Sequence, residues 1–179
     1  MKKFEGFLNI AKQLNSIHIV PLLLGSCGLE YLTGKDFGSE DIDIHVPGDP
    51  RGWAAPDETR IYHWNLIAVI MEEIGYRLQD LHEHSFSNGI YNIEFGTMNS
   101  LPDFTSIELK DLVKQNYRGV YFLIPTFEQY LKIYQSSAID PYRNKIDSSK
   151  DNLKINYLKS IVDWLKLIKS NNIGKLNPT

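Results

Sequence analysis

Two aspartates two residues apart, Asp41 and Asp43, stand in an apolar frame of Ile42, Ile44 and Val46, and the pair Gly25-Ser26 precedes them by a fourteen-residue gap. Side chains alternate along a strand, so both aspartates project from one face while the isoleucines point to the other. At a rise of roughly 3.3 Å per residue their Cα atoms lie about 6 to 7 Å apart, a spacing at which two carboxylates share divalent ions. Magnesium takes few protein carboxylates and completes its octahedron with phosphate oxygens and water. Two such ions, about 3.5–4 Å apart, stabilise the attacking and leaving oxygens of an in-line displacement. A Gly-Ser turn offers bare backbone N–H groups, and where it opens a helix the helix dipole adds to them. The combination predicts phosphoryl or nucleotidyl transfer from a metal-bound polyphosphate.

Two ions need a third carboxylate. Glu94, within Tyr91-Asn92-Ile93-Glu94-Phe95, is the candidate, with Asn92 on the same strand face. Asp103 is the substitute. Three acids drawn together repel one another, and a bound cation reverses that repulsion, so such a site is organised by its metal.

These residues need elements to hold them. Phe4, Phe7, Leu8, Ile10, Ala11 and Leu14 recur at helical spacing over 4–15, and 17–24 reads as a buried strand interrupted by Pro21. A short helix opens at Gly25-Ser26, and 41–46 is the second strand. Residues 47–57 form a Pro- and Gly-rich loop with Arg51 and Trp53, followed by a helix over 60–74. Strands are expected at 76–79 and 90–95 around a Ser87-Asn88-Gly89 turn, and at 117–124 after a charged segment at 108–115. Pro125 then takes the first turn of a helix, and the pattern stays helical to about residue 170. The fold class expected is α+β, a mixed β-sheet with helices packed on it, in a domain over 1–124 followed by a helical C-terminal region over 125–179.

The chain of 179 residues is 42% hydrophobic and 23% charged, an ordinary globular composition with room for one domain and a small appendage. Its net charge of -3 argues against a broad nucleic-acid surface. Glu5 and Lys12 break what would be the apolar stretch of a leader peptide, no run is long enough to span a membrane, and Cys27 has no second cysteine to pair with. A cytoplasmic protein is expected. His82 and His84 alternate at the spacing of strand-borne metal ligands, but their polar neighbours read as an exposed hairpin, and Cys27 reads as a small buried side chain beside the turn.

The stretch from Gly25 to Val46 resembles the nucleotidyltransferase superfamily with the polymerase-beta-like fold. That family's signature is a Gly-Ser turn opening a helix, a gap, an Asp-x-Asp strand and a third acid on a neighbouring strand. The pattern is most similar to aminoglycoside and lincosamide nucleotidyltransferases and to the toxins of abortive-infection systems. In those relatives a helical tail carries an Arg, a Lys-Asp and an Asp, of which residues 143–155 are a loose echo. The resemblance implies that Asp41, Asp43 and Glu94 hold Mg2+, that Ser26 with Gly25 binds a terminal phosphate of a nucleoside triphosphate, and that Glu94 is a metal ligand or the general base for an acceptor hydroxyl. His45, on the face of the two aspartates, would touch phosphate or substrate, and Lys35 and Arg51 would neutralise phosphate charge. The acceptor is a small molecule or a protein side chain in preference to an RNA end.

Other uses of Asp-x-Asp fit less well. A haloacid-dehalogenase-type phosphatase places the pair at the end of an N-terminal apolar strand, whereas Gly38-Ser39-Glu40 precedes it here. A glycosyltransferase needs more chain for its two substrate subdomains. The alternative from another class is a nucleotide-binding or protein-interaction module that keeps the fold without the chemistry.

Overall fold

The structure is a computed structural model and describes residues 2–139 and 148–173. The chain forms two compact units, 1–124 and 125–179.

The first unit is built on a seven-stranded mixed sheet, β1 (Leu22–Leu23), β2 (Asp41–Val46), β3 (Arg77–Asp80), β4 (Ser85–Ser87), β5 (Asn92–Thr97), β6 (Val113–Tyr117) and β7 (Val120–Ile124). The order across the sheet is β3-β4-β5-β2-β1-β7-β6. β2 pairs parallel with β5 and antiparallel with β1, and β1 pairs parallel with β7. Five helices belong to this unit: α1 (Lys2–Ser16), α2 (Gly25–Thr33), α3 (Asp57–Arg60), α4 (Trp64–Glu73) and α5 (Leu101–Thr105). With α6 (Phe127–Ile139) and α7 (Ser148–Ile173) in the second unit, the α+β class holds.

Alternation decides which side of the sheet is core. Ile42, Ile44 and Val46 of β2 and Ile93, Phe95 and Thr97 of β5 are buried on one face. α1 buries Phe7, Leu8, Ile10, Ala11 and Leu14 and packs against β7, where Phe4, Phe7, Tyr31 and Phe122 form an aromatic cluster. Trp64, Phe86 and Phe95 form a second cluster beneath β4 and β5. The opposite face of β2 and β5 carries Asp41 and Asp43, half-buried, and Glu94, exposed.

Several elements differ from the expectations. The predicted strand over 17–24 shrinks to Leu22–Leu23: α1 runs on to Ser16 and closes through a turn in which His18 takes a left-handed φ of 62°. Pro21, which has no N–H, still serves the sheet by accepting from Leu123 N at 2.8 Å. The helix expected over 60–74 is split, because Ile61 bridges to Gly48 in extended conformation and His63 turns left-handed before α4 begins. The strand expected at 117–124 is a hairpin, β6–β7, turned by Arg118 and Gly119 at φ 52° and 83°. The two positive φ values suit the twist of a tight hairpin. Helix α6 begins after Thr126, not at Pro125. Thr126 and Gln129 form a capping box, with Thr126 N donating to Gln129 Oε1 at 2.8 Å and Gln129 N donating to Thr126 Oγ1 at 3.2 Å.

The hairpin expected around His82 and His84 is not uniformly exposed. Ser85–Ser87 is a strand, and His84 is fully buried with its ring edge-on to Trp64 at 4.4 Å. Its Nε2 lies 2.9 Å from the Asp57 carbonyl, which can only accept, so Nε2 carries the proton of the neutral ring. Burial holds its pKa below the ordinary histidine value, and the nearby Arg60 charge adds to that. Arg60 is itself buried, donating to the His82 carbonyl at 2.6 Å and ion-paired with Asp57, and Trp53 lies over its guanidinium at 4.6 Å.

Candidate active site

β2 and β5 run parallel in a register that sets Asp43 beside Glu94 and Asp41 beside Asn92. Asp41, Asp43 and Glu94 each place a carboxylate oxygen within 4.8 Å of the others, the one such cation-sized cluster among the described residues. Oxygens gathered this closely could be drawn onto one hard cation, whose oxygen ligands sit at about 2.1 Å for magnesium. An all-carboxylate donor set suits Mg, Mn or Ca and not zinc, which favours nitrogen and sulfur. Asp103 lies in the first turn of α5 and is not a member of the cluster.

The turn after β1 abuts this cluster. Leu24 N donates to the Asp43 carbonyl at 3.0 Å, extending the β1–β2 ladder to the carboxylates. Gly25 follows at φ +59°, and a Cβ there would overlap the Asp43 carboxylate. Both constraints demand glycine. The first intrahelical bond of α2 runs from Gly28 N to Leu24 O, so the amides of Gly25, Ser26 and Cys27 lie ahead of it at the positive end of the helix, where Leu24 supplies no side-chain cap. Cys27 is buried behind the turn, and burial first, then the charges of Glu30 and Asp43, push its thiol up to about 12. It is therefore a packed thiol at neutral pH and not a nucleophile.

His45 continues the row of Asp41 and Asp43. Its register partner is Gly96, and the ring fills the space a side chain would take: a Cβ on Gly96 would stand 2.5 Å from His45 Nε2. His45 Nδ1 lies 3.2 Å from the Thr97 carbonyl, so Nδ1 carries the proton and Nε2 the lone pair of the neutral ring. Arg51 instead is held by Asp49, through Nε at 3.0 Å and Nη2 at 2.7 Å. Those bonds lower the Asp49 carboxyl to about 2 and raise Arg51. Lys35 lies in the loop after α2 with its ammonium 5.3 Å from the Phe37 ring centre. The echo of a tail motif over 143–155 falls outside the described residues at 143–147; beyond them, Asp151 and Lys154 are 3.6 Å apart.

Glu30, one turn beyond Ser26 on α2, had no role in the sequence reading. Its Oε1 accepts from Phe37 N at 2.9 Å and Ser39 N at 3.0 Å, and its Oε2 from Ser39 Oγ at 2.9 Å. Lys3 Nζ reaches the same Ser39 hydroxyl at 3.0 Å. The gap between the Gly-Ser turn and the acids is thus wrapped around one carboxylate, with Gly34 and Gly38 at positive φ making its bends.

This arrangement of sheet, turn and acids is a nucleotidyltransferase fold. The structure is similar to an antigenic nucleotidyltransferase-like protein from Paracoccidioides brasiliensis, at a TM-score of 0.57 and 15% identity over 86% of this chain and 73% of that one. It is also similar to ANT(2")-Ia, solved in complex with adenylyl-2"-tobramycin, at a TM-score of 0.50 and 12% identity over 90% of this chain and 99% of that one. No family model matches the chain. In sequence it is 36% identical over 163 residues to the uncharacterized protein YnaI of Bacillus subtilis (strain 168), covering 90% of this chain and 99% of that protein. The chain belongs to the YnaI family. No helix among the described residues is long and apolar enough to cross a membrane.

Proposed function

We propose that this protein is a Mg2+-dependent nucleotidyltransferase that moves a nucleoside monophosphate from a nucleoside triphosphate to an acceptor hydroxyl and releases pyrophosphate. The observation that carries the reading is the convergence of Asp41, Asp43 and Glu94 to within 4.8 Å beside the glycine-only turn at the start of α2.

The Gly25 and Ser26 amides and the Ser26 hydroxyl bind the terminal phosphate at the positive end of α2. Asp41, Asp43 and Glu94 hold the metal, which when bound draws charge off the phosphate oxygens. Glu94, on the solvent-facing side of β5, either completes that donor set or accepts the proton of the acceptor hydroxyl. The acceptor oxygen then bonds to the α-phosphorus as the bond to the bridging oxygen breaks, and pyrophosphate carries away that electron pair. His45 contacts phosphate or acceptor from the next position on β2. Lys35 and Arg51 lend positive charge, Arg51 by exchanging Asp49 for a phosphate oxygen. The 1–124 unit is the nucleotidyltransferase domain and 125–179 its helical C-terminal region. A small-molecule acceptor is favoured by the likeness to ANT(2")-Ia with its adenylylated aminoglycoside, and the net charge of -3 disfavours RNA.

Thermal unfolding of the wild type and of Asp41→Ala/Asp43→Ala, with each of the four NTPs and with or without Mg2+, tests the reading. A ligand at 100 times its Kd adds about 2.7 kcal/mol. A Mg2+-dependent rise in midpoint confined to the wild type is expected. No rise with any NTP would replace the enzyme by a protein-interaction module on the same fold.

A further inference from the structure

We infer that Glu30 is the positioning residue that couples the phosphate-binding turn to the metal-binding strand, an inference that rests on the function proposed above. α2 carries both the amides of Gly25 and Ser26 and, one turn later, the Glu30 carboxylate. That carboxylate takes three hydrogen bonds from the segment leading into β2, two of them from Ser39. Ser39 is buried and stands two residues before Asp41, the first acid of the cluster and the first residue of β2. An α2 helix that shifts therefore carries the entry of β2 with it, and the spacing between amides and carboxylates is preserved.

Three features separate this from an ordinary loop brace. The bonds go to both amides and the hydroxyl, so the loop is fixed in position and in orientation. The acceptor is a carboxylate, and charge-assisted bonds of this kind are about twice as strong as neutral ones. Lys3 closes the chain of bonds from the other side, tying α1 to the same Ser39 hydroxyl at 3.0 Å and placing a positive charge in the polar cluster with Glu30. The device holds Asp41 in register with Asn92 while like charges on Asp41, Asp43 and Glu94 push it away. Glu30 touches neither metal nor substrate; it acts through Ser39.

The test is Mn2+ alone, titrated against the full chain and followed by the electron-paramagnetic resonance signal of the free ion, in wild type, Asp43→Ala, Glu30→Ala, Glu30→Gln and Ser39→Ala. Loss of metal affinity through a supporting residue is typically about 10- to 100-fold. The expectation is a drop of about tenfold in Glu30→Ala, a smaller drop in Ser39→Ala, and partial rescue in Glu30→Gln, which keeps an oxygen for the two amides. Unchanged Mn2+ affinity in a folded Glu30→Ala overturns the inference. Should Glu30→Ala fail to fold, Ser39→Ala decides, since it deletes only the hydroxyl between Glu30 and Lys3; unchanged affinity there overturns it equally. Failure of the functional reading looks different: wild-type Mn2+ binding would then be absent or indifferent to Asp43→Ala.

Discussion

The Asp43 carboxylate occupies the space that a Cβ on residue 25 would need. The turn proposed to bind phosphate and the strand proposed to bind metal are thereby pressed together without a side chain between them. Gly25→Ala meets two penalties, the overlap with Asp43 and a left-handed φ of +59° that costs a non-glycine residue about 1–2 kcal/mol. The expected outcome is a loss of about 2 kcal/mol or more in urea unfolding together with loss of Mg2+-dependent NTP stabilisation. In an Asp43→Ala background the overlap with the carboxylate vanishes, leaving a 3.2 Å contact with the Cβ of residue 43 and the φ penalty, so the two substitutions are non-additive.

Gly96→Ala tests the seat of His45. The added methyl would stand 2.5 Å from Nε2 and 2.6 Å from Cε1, so the ring must leave its place and give up the Thr97 carbonyl. The prediction is a changed imidazole resonance by NMR and a loss of NTP affinity close to that of His45→Ala. When His45 is already alanine, Gly96→Ala should change affinity little, and an equal loss in both backgrounds would remove His45 from the site.

His84 makes stability depend on pH. Its folded-state pKa is lowered by burial, with Arg60 adding to the effect against the bonds to Asp57 and His82. As pH falls through about 6.5 the unfolded chain takes up a proton that the folded chain refuses, so stability is complete above that value and declines below it. Urea midpoints measured at pH 7.5 and 5.5 should fall for the wild type, and the fall should be smaller in His84→Gln.

The residues of the carboxylate cluster were legible in the sequence because their signal is local. Alternation within Asp41-Ile42-Asp43-Ile44 fixes which face the acids take, and the same alternation in Asn92-Ile93-Glu94-Phe95 places Glu94. That β5 lies next to β2 is a long-range fact, and it chose Glu94 over Asp103. The strand Ser85–Ser87 has no alternating apolar signal, since two of its three residues are polar, and it exists by pairing on both sides. The burial of His84 has no signal in its polar neighbours, because it comes from Trp64, twenty residues earlier in the chain, closing over the ring. The apolar run 17–24 failed as a strand because its first half completes a helix end, where burial and extended backbone are different things. Glu30 gave no signal beyond the length of the gap it organises.

The parallel pairing of β2 with β5 also decides when the acids can meet. Parallel neighbours cannot be joined by a hairpin, so the chain after Val46 travels through α3, α4, β3 and β4 before returning as β5. Closing so long a connection is the entropically late step in building a sheet. Asp41 and Asp43 leave the ribosome beside Gly25 as an incomplete pair, and Glu94 joins them only when the crossover has been made and folded back. The nascent protein thus passes through early synthesis without its third acid, and the cluster is born with the closing of the central sheet.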